Sequence, residues 1–322
     1  MLVTDIERHI KDGKTKKGFY MQGYLKSNLD GVPNFLEKEW DVVGIVTGHG
    51  KVGTGKSTIA LQVAYYLAWL LAGGKMVEEE VNGSQKIKEI ISPTKPVRFG
   101  MENIVFTPED LMKKAEKLYK QYGQNQVIVY DEGKSGLDSE NAMKSINKAM
   151  AEFMQRCRVY HHIIIIVLPN FFKLHEDYAV ARSLFLIDAY ADAQFNRGFF
   201  SFYNEIQKER LFHFGKKLIG VRAKYGAARE SFWGRFSKWL PVDRAEYDKA
   251  KMKAIEALSY TRKEQQYKKQ RDSALYLLQK YTGLPSDTIS KELSVTSGDK
   301  IGPRGVRYAI SSISKQKVED IL

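Results

Sequence analysis

The chain has 322 residues, 43% of them apolar and 28% charged, which suits one large α/β domain with a real core plus a small appendage. A single cysteine, Cys157, excludes a disulfide scaffold and a cysteine-rich zinc site. The formal charge is +13 and it is unevenly spread: residues 1–200 hold 26 basic and 24 acidic side chains, residues 201–322 hold 25 and 14. A C-terminal third with net +11 favours a polyanionic partner, nucleic acid first and a membrane surface second.

The longest apolar runs, Ala64–Ala72 and Ile163–Leu168, fall far short of the roughly eighteen residues that a membrane span needs. The segment MLVTDIERHIKDGKTKKG lacks the apolar stretch of a secretory signal. No membrane span and a cytoplasmic location are therefore expected, in the host cytoplasm if the source is viral.

Residues 1–40 are mixed and polar, with turn signals at Asp12-Gly13 and Asp30-Gly31, and read as a separate N-terminal segment. Residues 41–243 read as the main domain. Asp41–Val46 is a short β-branched strand, Thr47–Gly55 is glycine-rich, and Ser57–Ala72 is a helix apolar on nearly every face, as befits one packed against a sheet. Residues 73–96, with Gly73-Gly74, three glutamates and two prolines, read as an exposed excursion. Ile104–Phe106 is a second strand. Thr107 then caps a helix that has Pro108 at its first position and acids in its first turn.

Gln126–Tyr130 is a third strand, Ser139–Arg158 a helix, and Ile163–Leu168 a fourth strand without a polar side chain, hence buried on both faces. Arg182–Ala189 reads as a fifth strand. Gly198–Tyr203 with Glu209–Phe214 reads as a hairpin on the sheet edge. Phe232, Trp233, Phe236, Trp239 and Leu240 have helical spacing and read as core rather than as a base-stacking platform. Strands alternating with helices predict an α/β fold with a mainly parallel sheet covered on both faces. Residues 244–271 read as a charged helical connector. Ser273–Tyr281, Ser286–Leu293 and Pro303–Lys317 read as three helices of a small all-α domain, 272–322.

Gly50, Lys51, Val52, Gly53, Thr54, Gly55, Lys56 and Ser57 fit the pattern G-x-x-x-x-G-K-[ST], between a strand and a helix, with Thr58 next in line. In such a P-loop, backbone N–H groups curl around a phosphate chain while the following helix offers its positive end. Lys56 is expected to reach the β- and γ-phosphates of ATP, and Ser57 to ligate Mg²⁺. Asp131 ends a buried strand, where it can hold Mg²⁺ through its water shell, and Glu132 beside it can polarise an attacking water. The alternative is a pair of carboxylates that merely end a strand.

Asn170 closes the fourth strand and could sense the γ-phosphate, or could simply start a turn. Arg156, Arg158 and Arg182 are candidates for an arginine finger acting on a neighbouring subunit, with surface ion pairing as the alternative. His161 and His162 have no cysteine or carboxylate at ligand spacing and are not read as a metal site.

With these motifs together, the run DVVGIVTGHGKVGTGKS (Asp41–Ser57), Val127–Glu132, the strand ending at Asn170 and the Arg182 strand resemble the FtsK–HerA division of P-loop motors. More narrowly, they resemble the Zot-like ATP-binding proteins of phages, archaeal viruses and mobile elements. The resemblance covers roughly residues 35–245. It implies a RecA-like P-loop NTPase sheet, ATP hydrolysis, homo-oligomers (often hexameric rings) and DNA pumping. Asn170 stands where many relatives carry Gln. Lys51 resembles the signature lysine of the partition and septum-site ATPases, but those lack the Asp-Glu pair and carry a glycine where this chain has Val52.

In the C-terminal segment, Val306, Ile310 and Ile313 form an inward stripe, and Arg304, Arg307, Tyr308 and Ser311 fall on the opposite face. A short helix, a turn and a helix with an outward basic face is helix-turn-helix logic for DNA, and a docking module with a solvated basic face is the alternative. The resulting expectation is an ATP-hydrolysing DNA motor serving packaging, transfer or replication. Its rivals are an ATP-gated partition or regulatory switch and a helicase loader.

Overall fold

The computed structural model describes residues 21–48, 53–81, 84–131, 147–148, 151, 159–217, 225–297 and 302–319. The expected helix at Ser139–Arg158 lies almost wholly outside the described residues, as do Gly50, Lys51, Val52, Glu132, Arg156 and Arg158.

The fold is α/β. Strands β1 (Val42–Thr47), β4 (Ile104–Val105), β5 (Val127–Asp131), β6 (Ile163–Val167), β7 (Phe185–Tyr190), β8 (Phe199–Tyr203) and β9 (Phe232–Arg235) form one seven-stranded sheet in the order β4-β5-β6-β1-β7-β8-β9. The first five in that order run parallel, and β8 and β9 are added antiparallel at one edge. Every residue of β1, β5 and β6 is buried, which is why their sequences are uninterrupted and β-branched rather than alternating.

The side chains sort by parity into two cores. Val42, Val46, Ile163, Ile165 and Val167 face the helices α1 (Gly23–Asp30), α2 (Val32–Glu37) and α3 (Lys56–Leu71). Val43, Ile45, Ile164 and Ile166 face α4 (Pro108–Tyr122) and α5 (Glu205–Lys217). Helix α4 opens as its sequence predicts: Thr107 Oγ1 accepts the amide of Asp110 at 3.3 Å, with Pro108 in the first turn.

Several sequence expectations shift. Residues 21–40 are not a detached segment, since Met21, Leu25, Leu29 and Val32 sit in the first core and Tyr66 on α3 donates to Asp30 Oδ1 at 2.6 Å. The excursion after α3 is an antiparallel hairpin, β2 (Lys75–Val81) with β3 (Ser84–Ile91), forming its own two-stranded sheet. Glu209–Phe214 is helical, not an edge strand. The alternation in Leu-Phe-His-Phe misleads, because burial falls on Lys208, Leu211, Phe212 and Gly215, a helical spacing.

The strand that pairs with β8 is instead β9. There Phe232 stacks on Phe202 at 4.6 Å, while Trp233 points the other way and is 58% exposed. The aromatic run is thus a strand and its tail, and not one helical core face. Arg182 precedes β7 rather than lying in it.

The chain divides into two compact units between Ala254 and Ile255. The boundary falls inside one helix, α6 (Arg244–Thr282), so the expected connector and the first C-terminal helix are continuous. Helices α7 (Ser286–Ser297) and α8 (Pro303–Glu319) complete the second unit, whose small core holds Leu275, Ile289, Val306 and Ala309. The division also relocates the charge. Residues 201–254 carry 13 basic and 6 acidic side chains, residues 255–322 carry 12 and 8, so most of the C-terminal excess precedes the second unit. Among the described residues no helix is long and apolar enough to cross a membrane.

Candidate functional site

The site lies where β1 and β5 end. Past Thr47 the backbone reaches Gly48, and a β-carbon there would lie 2.7 Å from Cγ and Cδ of Lys56 and against the Thr54 hydroxyl. The missing side chain lets the Lys56 stem fold back across the strand end. Gly55 leads into α3 at φ +95°, and a β-carbon on it would meet the Phe236 ring at 2.7 Å, so conformation and space both demand glycine. Helix α3 starts at Lys56 with no side-chain cap among the described residues and no acid in its first turn, so its own first turn adds no negative charge at its positive end. The Thr54 hydroxyl is buried and finds no hydrogen-bond partner among the described residues.

Strand β6 lies between β1 and β5, with Val167 in register with both Val46 and Asp131. This sets the Asp131 carboxylate level with the start of the loop, 2% exposed. Two groups from the first turns of α6 reach it. The Tyr247 hydroxyl donates to Asp131 Oδ2, and the Lys251 ammonium donates to the same oxygen at 3.0 Å. Lys251 Nζ also lies 3.4 Å from Ser57 Oγ. Burial and the neighbouring Asp131 carboxylate push the Tyr247 phenol far above its usual range, so it remains a donor.

Ser57 and Asp131 therefore converge on one cation, the Lys251 ammonium, beside the Tyr247 ring, which meets that of Phe106 edge-on at 5.6 Å. A hydroxyl and a carboxylate are the oxygen donors that a hard divalent ion takes. Among the described residues no group of three or more His, Cys, Asp or Glu could hold a metal.

A second buried cluster fixes the end of β1. The Thr47 hydroxyl donates to Asp188 Oδ1 at 2.9 Å, and Asp188 is 1% exposed. Burial, reinforced by this carboxylate, raises the phenols of Tyr203 and Tyr225 above their usual range. The Tyr225 hydroxyl oxygen in turn accepts the Phe171 amide at 3.0 Å. Sequence reading does not find this cluster, because its members lie far apart in the chain.

Asn170 stands at the same end of the sheet, just past β6, where its Oδ1 accepts the Phe172 amide at 2.9 Å and caps the short helical turn Phe171–Lys173. The turn-starting role is therefore the one its oxygen fills. Arg182 lies before β7, alongside Asn34, Trp40, Asp41 and Leu184. That is the opposite end of the parallel strands from Ser57 and Asp131, so Arg182 does not serve its own chain's site. Arg197, which the sequence reading missed, lies over the loop: a β-carbon on Gly53 would sit 3.5 Å from its Nη2.

His162 is buried, with Nδ1 3.2 Å from the Gln126 amide and Nε2 3.1 Å from the Ala115 carbonyl, and burial lowers its pKa to about 4. It ties α4 to the sheet. In the second unit Val306 is buried and Ile310 packs on the same core, while Arg304, Arg307, Tyr308 and Ser311 are exposed. The side chain of Ile313 lies outside the described residues. Arg307 reaches toward Asp287 on α7 at 3.9 Å.

No protein-family model matches the chain, and no curated protein matches it.

Proposed function

We propose that the chain is a Mg²⁺-dependent P-loop ATPase of RecA-like type that works on DNA as a translocating or remodelling motor. The observation that carries this reading is the convergence of Ser57 and Asp131, 74 positions apart, on a single ammonium group beside an uncapped helix start. The sequence G-x-x-x-x-G-K-S immediately before that helix is its chemical counterpart.

In this reading the loop amides and the first turn of α3 hold the phosphate chain, and Lys56 neutralises the β- and γ-phosphates. Ser57 and Asp131 hold Mg²⁺, which when bound neutralises charge on the same phosphates. Glu132 polarises the attacking water. Strand β6, inserted between β1 and β5, leaves Asp131 one strand away from the loop, as a carboxylate needs if an ion and its waters are to fit between. A finger from a neighbouring subunit in a homo-oligomer would complete the site; Arg182, remote from its own chain's phosphate end, suits a role in trans. The exposed Arg304, Arg307, Tyr308 and Ser311 are the proposed DNA contacts of a helix-turn-helix-like second unit.

The test is steady-state ATP hydrolysis with and without duplex and single-stranded DNA, using Lys56→Ala and Glu132→Gln as controls. Stimulation by DNA, lost in both variants, is the expected result. Slow turnover indifferent to DNA would replace the motor with an ATP-gated DNA-binding switch.

A further inference from the structure

Helix α6 has no part in the P-loop pattern, yet two of its side chains hold the oxygens that the pattern assigns to magnesium. Tyr247 and Lys251 are four residues apart and so share one helix face. Tyr247 is 5% exposed and belongs to the first core, with Ala250 and Ala254 packed beside it, so this face is seated rather than passing by. Lys251, with its side chain 23% exposed, spans Asp131 Oδ2 at 3.0 Å and Ser57 Oγ at 3.4 Å.

We propose that Lys251 and Tyr247 are the residues that set magnesium access to this site: Lys251 holds the position of the divalent ion in competition with it, and Tyr247 anchors Asp131 for whichever cation is present. The inference rests on the ATPase reading above. Its physical basis is that Mg²⁺ holds its directly bound oxygens at about 2.1 Å and keeps several of its waters, so an ion on Ser57 Oγ, with Asp131 bound directly or through one of those waters, occupies the space between the two side chains. An ion shared by Ser57 and Asp131 would therefore need the space next to those oxygens that the ammonium fills. Two cations side by side at the buried Asp131 carboxylate repel, so one must leave. Lysine has a flexible stem and a strongly hydrated head, and at 23% exposure it can swing out to water. Tyr247, walled in against Phe106, cannot. The ammonium thus offsets the buried Asp131 charge when magnesium is elsewhere, and magnesium binding frees it.

The test measures the Mg²⁺ concentration that half-saturates binding of a fluorescent ATP analogue to the full chain, in wild type, Lys251→Met, Tyr247→Phe and the exposed-lysine control Lys249→Met. Removing the competitor should lower the half-saturating Mg²⁺ concentration about tenfold in Lys251→Met, and Lys249→Met should match wild type. Tyr247→Phe should shift the midpoint by less. Thermal unfolding with Mg²⁺ and no nucleotide gives a second readout, where Mg²⁺ should raise the melting temperature of Lys251→Met more than that of wild type. Nucleotide binding with an unchanged or raised Mg²⁺ midpoint in folded Lys251→Met would overturn the proposal and leave the ATPase reading standing. No nucleotide binding by any protein, wild type included, would overturn both.

Discussion

The two compact units bury their interiors in very different ways. In β6 five successive residues, Ile163–Val167, are each at most 2% exposed and feed cores on both faces of the sheet. In the second unit the buried apolar residues among those described are Leu275, Ile289, Val306 and Ala309. The two-sided core lets the first unit keep charged groups in dry places: Asp131, Asp188 and Lys208 are each at most 2% exposed. Each is satisfied by specific partners, Asp131 by Tyr247 and Lys251, and Lys208 by Val180 and Ser183. In the second unit the described basic side chains Arg271, Lys280, Lys291, Arg304 and Arg307 are exposed. The candidate site of the first unit is thus a buried carboxylate and its partners, and that of the second an exposed face.

The sharpest way to separate these is Lys56→Ala. It should lower ATP hydrolysis by about 10³-fold, while circular dichroism and the melting curve stay those of wild type; a melting point that falls with the activity would mean the residue is structural. Next in size is a cavity in β6. Ile165→Ala should cost about 3–4 kcal/mol by denaturant unfolding, against about 2 kcal/mol for Val306→Ala in the smaller core. Equal costs would break the contrast between the two cores.

His162 gives the first unit a pH signature. Its folded pKa of about 4 lies below the usual 6.5, so between those values the unfolded chain binds the extra proton and stability falls as pH falls. At pH 5 the loss relative to pH 7.5 should be about 2 kcal/mol from this residue. His162→Gln should flatten that part of the profile. The smallest effect concerns the exposed face. Arg304→Ala with Arg307→Ala should weaken duplex DNA binding and reduce the dependence of log K on log salt by about 2. An unchanged slope would shift the DNA contact to the more basic 201–254 region, with its 13 basic and 6 acidic residues.

Much of the first unit was legible from sequence because its signals are local. Strands β1 and β6 are uncharged, largely β-branched runs, β5 is one up to its closing Tyr130-Asp131, and Thr107-Pro108 announces a helix start within four residues. The hairpin expected at Gly198–Phe214 failed because Leu-Phe-His-Phe alternates within a helix whose burial spacing is set by the second core. The candidate phosphate loop was proposed from sequence because such a loop is one short segment. Tyr247 and Lys251 could not, since their partner Asp131 lies 116 and 120 positions away and a Tyr-Lys pair four apart on a charged helix carries no local mark. The Thr47–Asp188 contact spans 141 positions and was invisible for the same reason.

Direct binding of ATP tests the central claim with fewest assumptions. Titrating the full chain with ATP and Mg²⁺ in a calorimeter should give one site per chain in wild type and no measurable binding in Lys56→Ala. Absence of binding in wild type, or equal binding in the variant, would contradict the assignment of this loop and strand end as a nucleotide site.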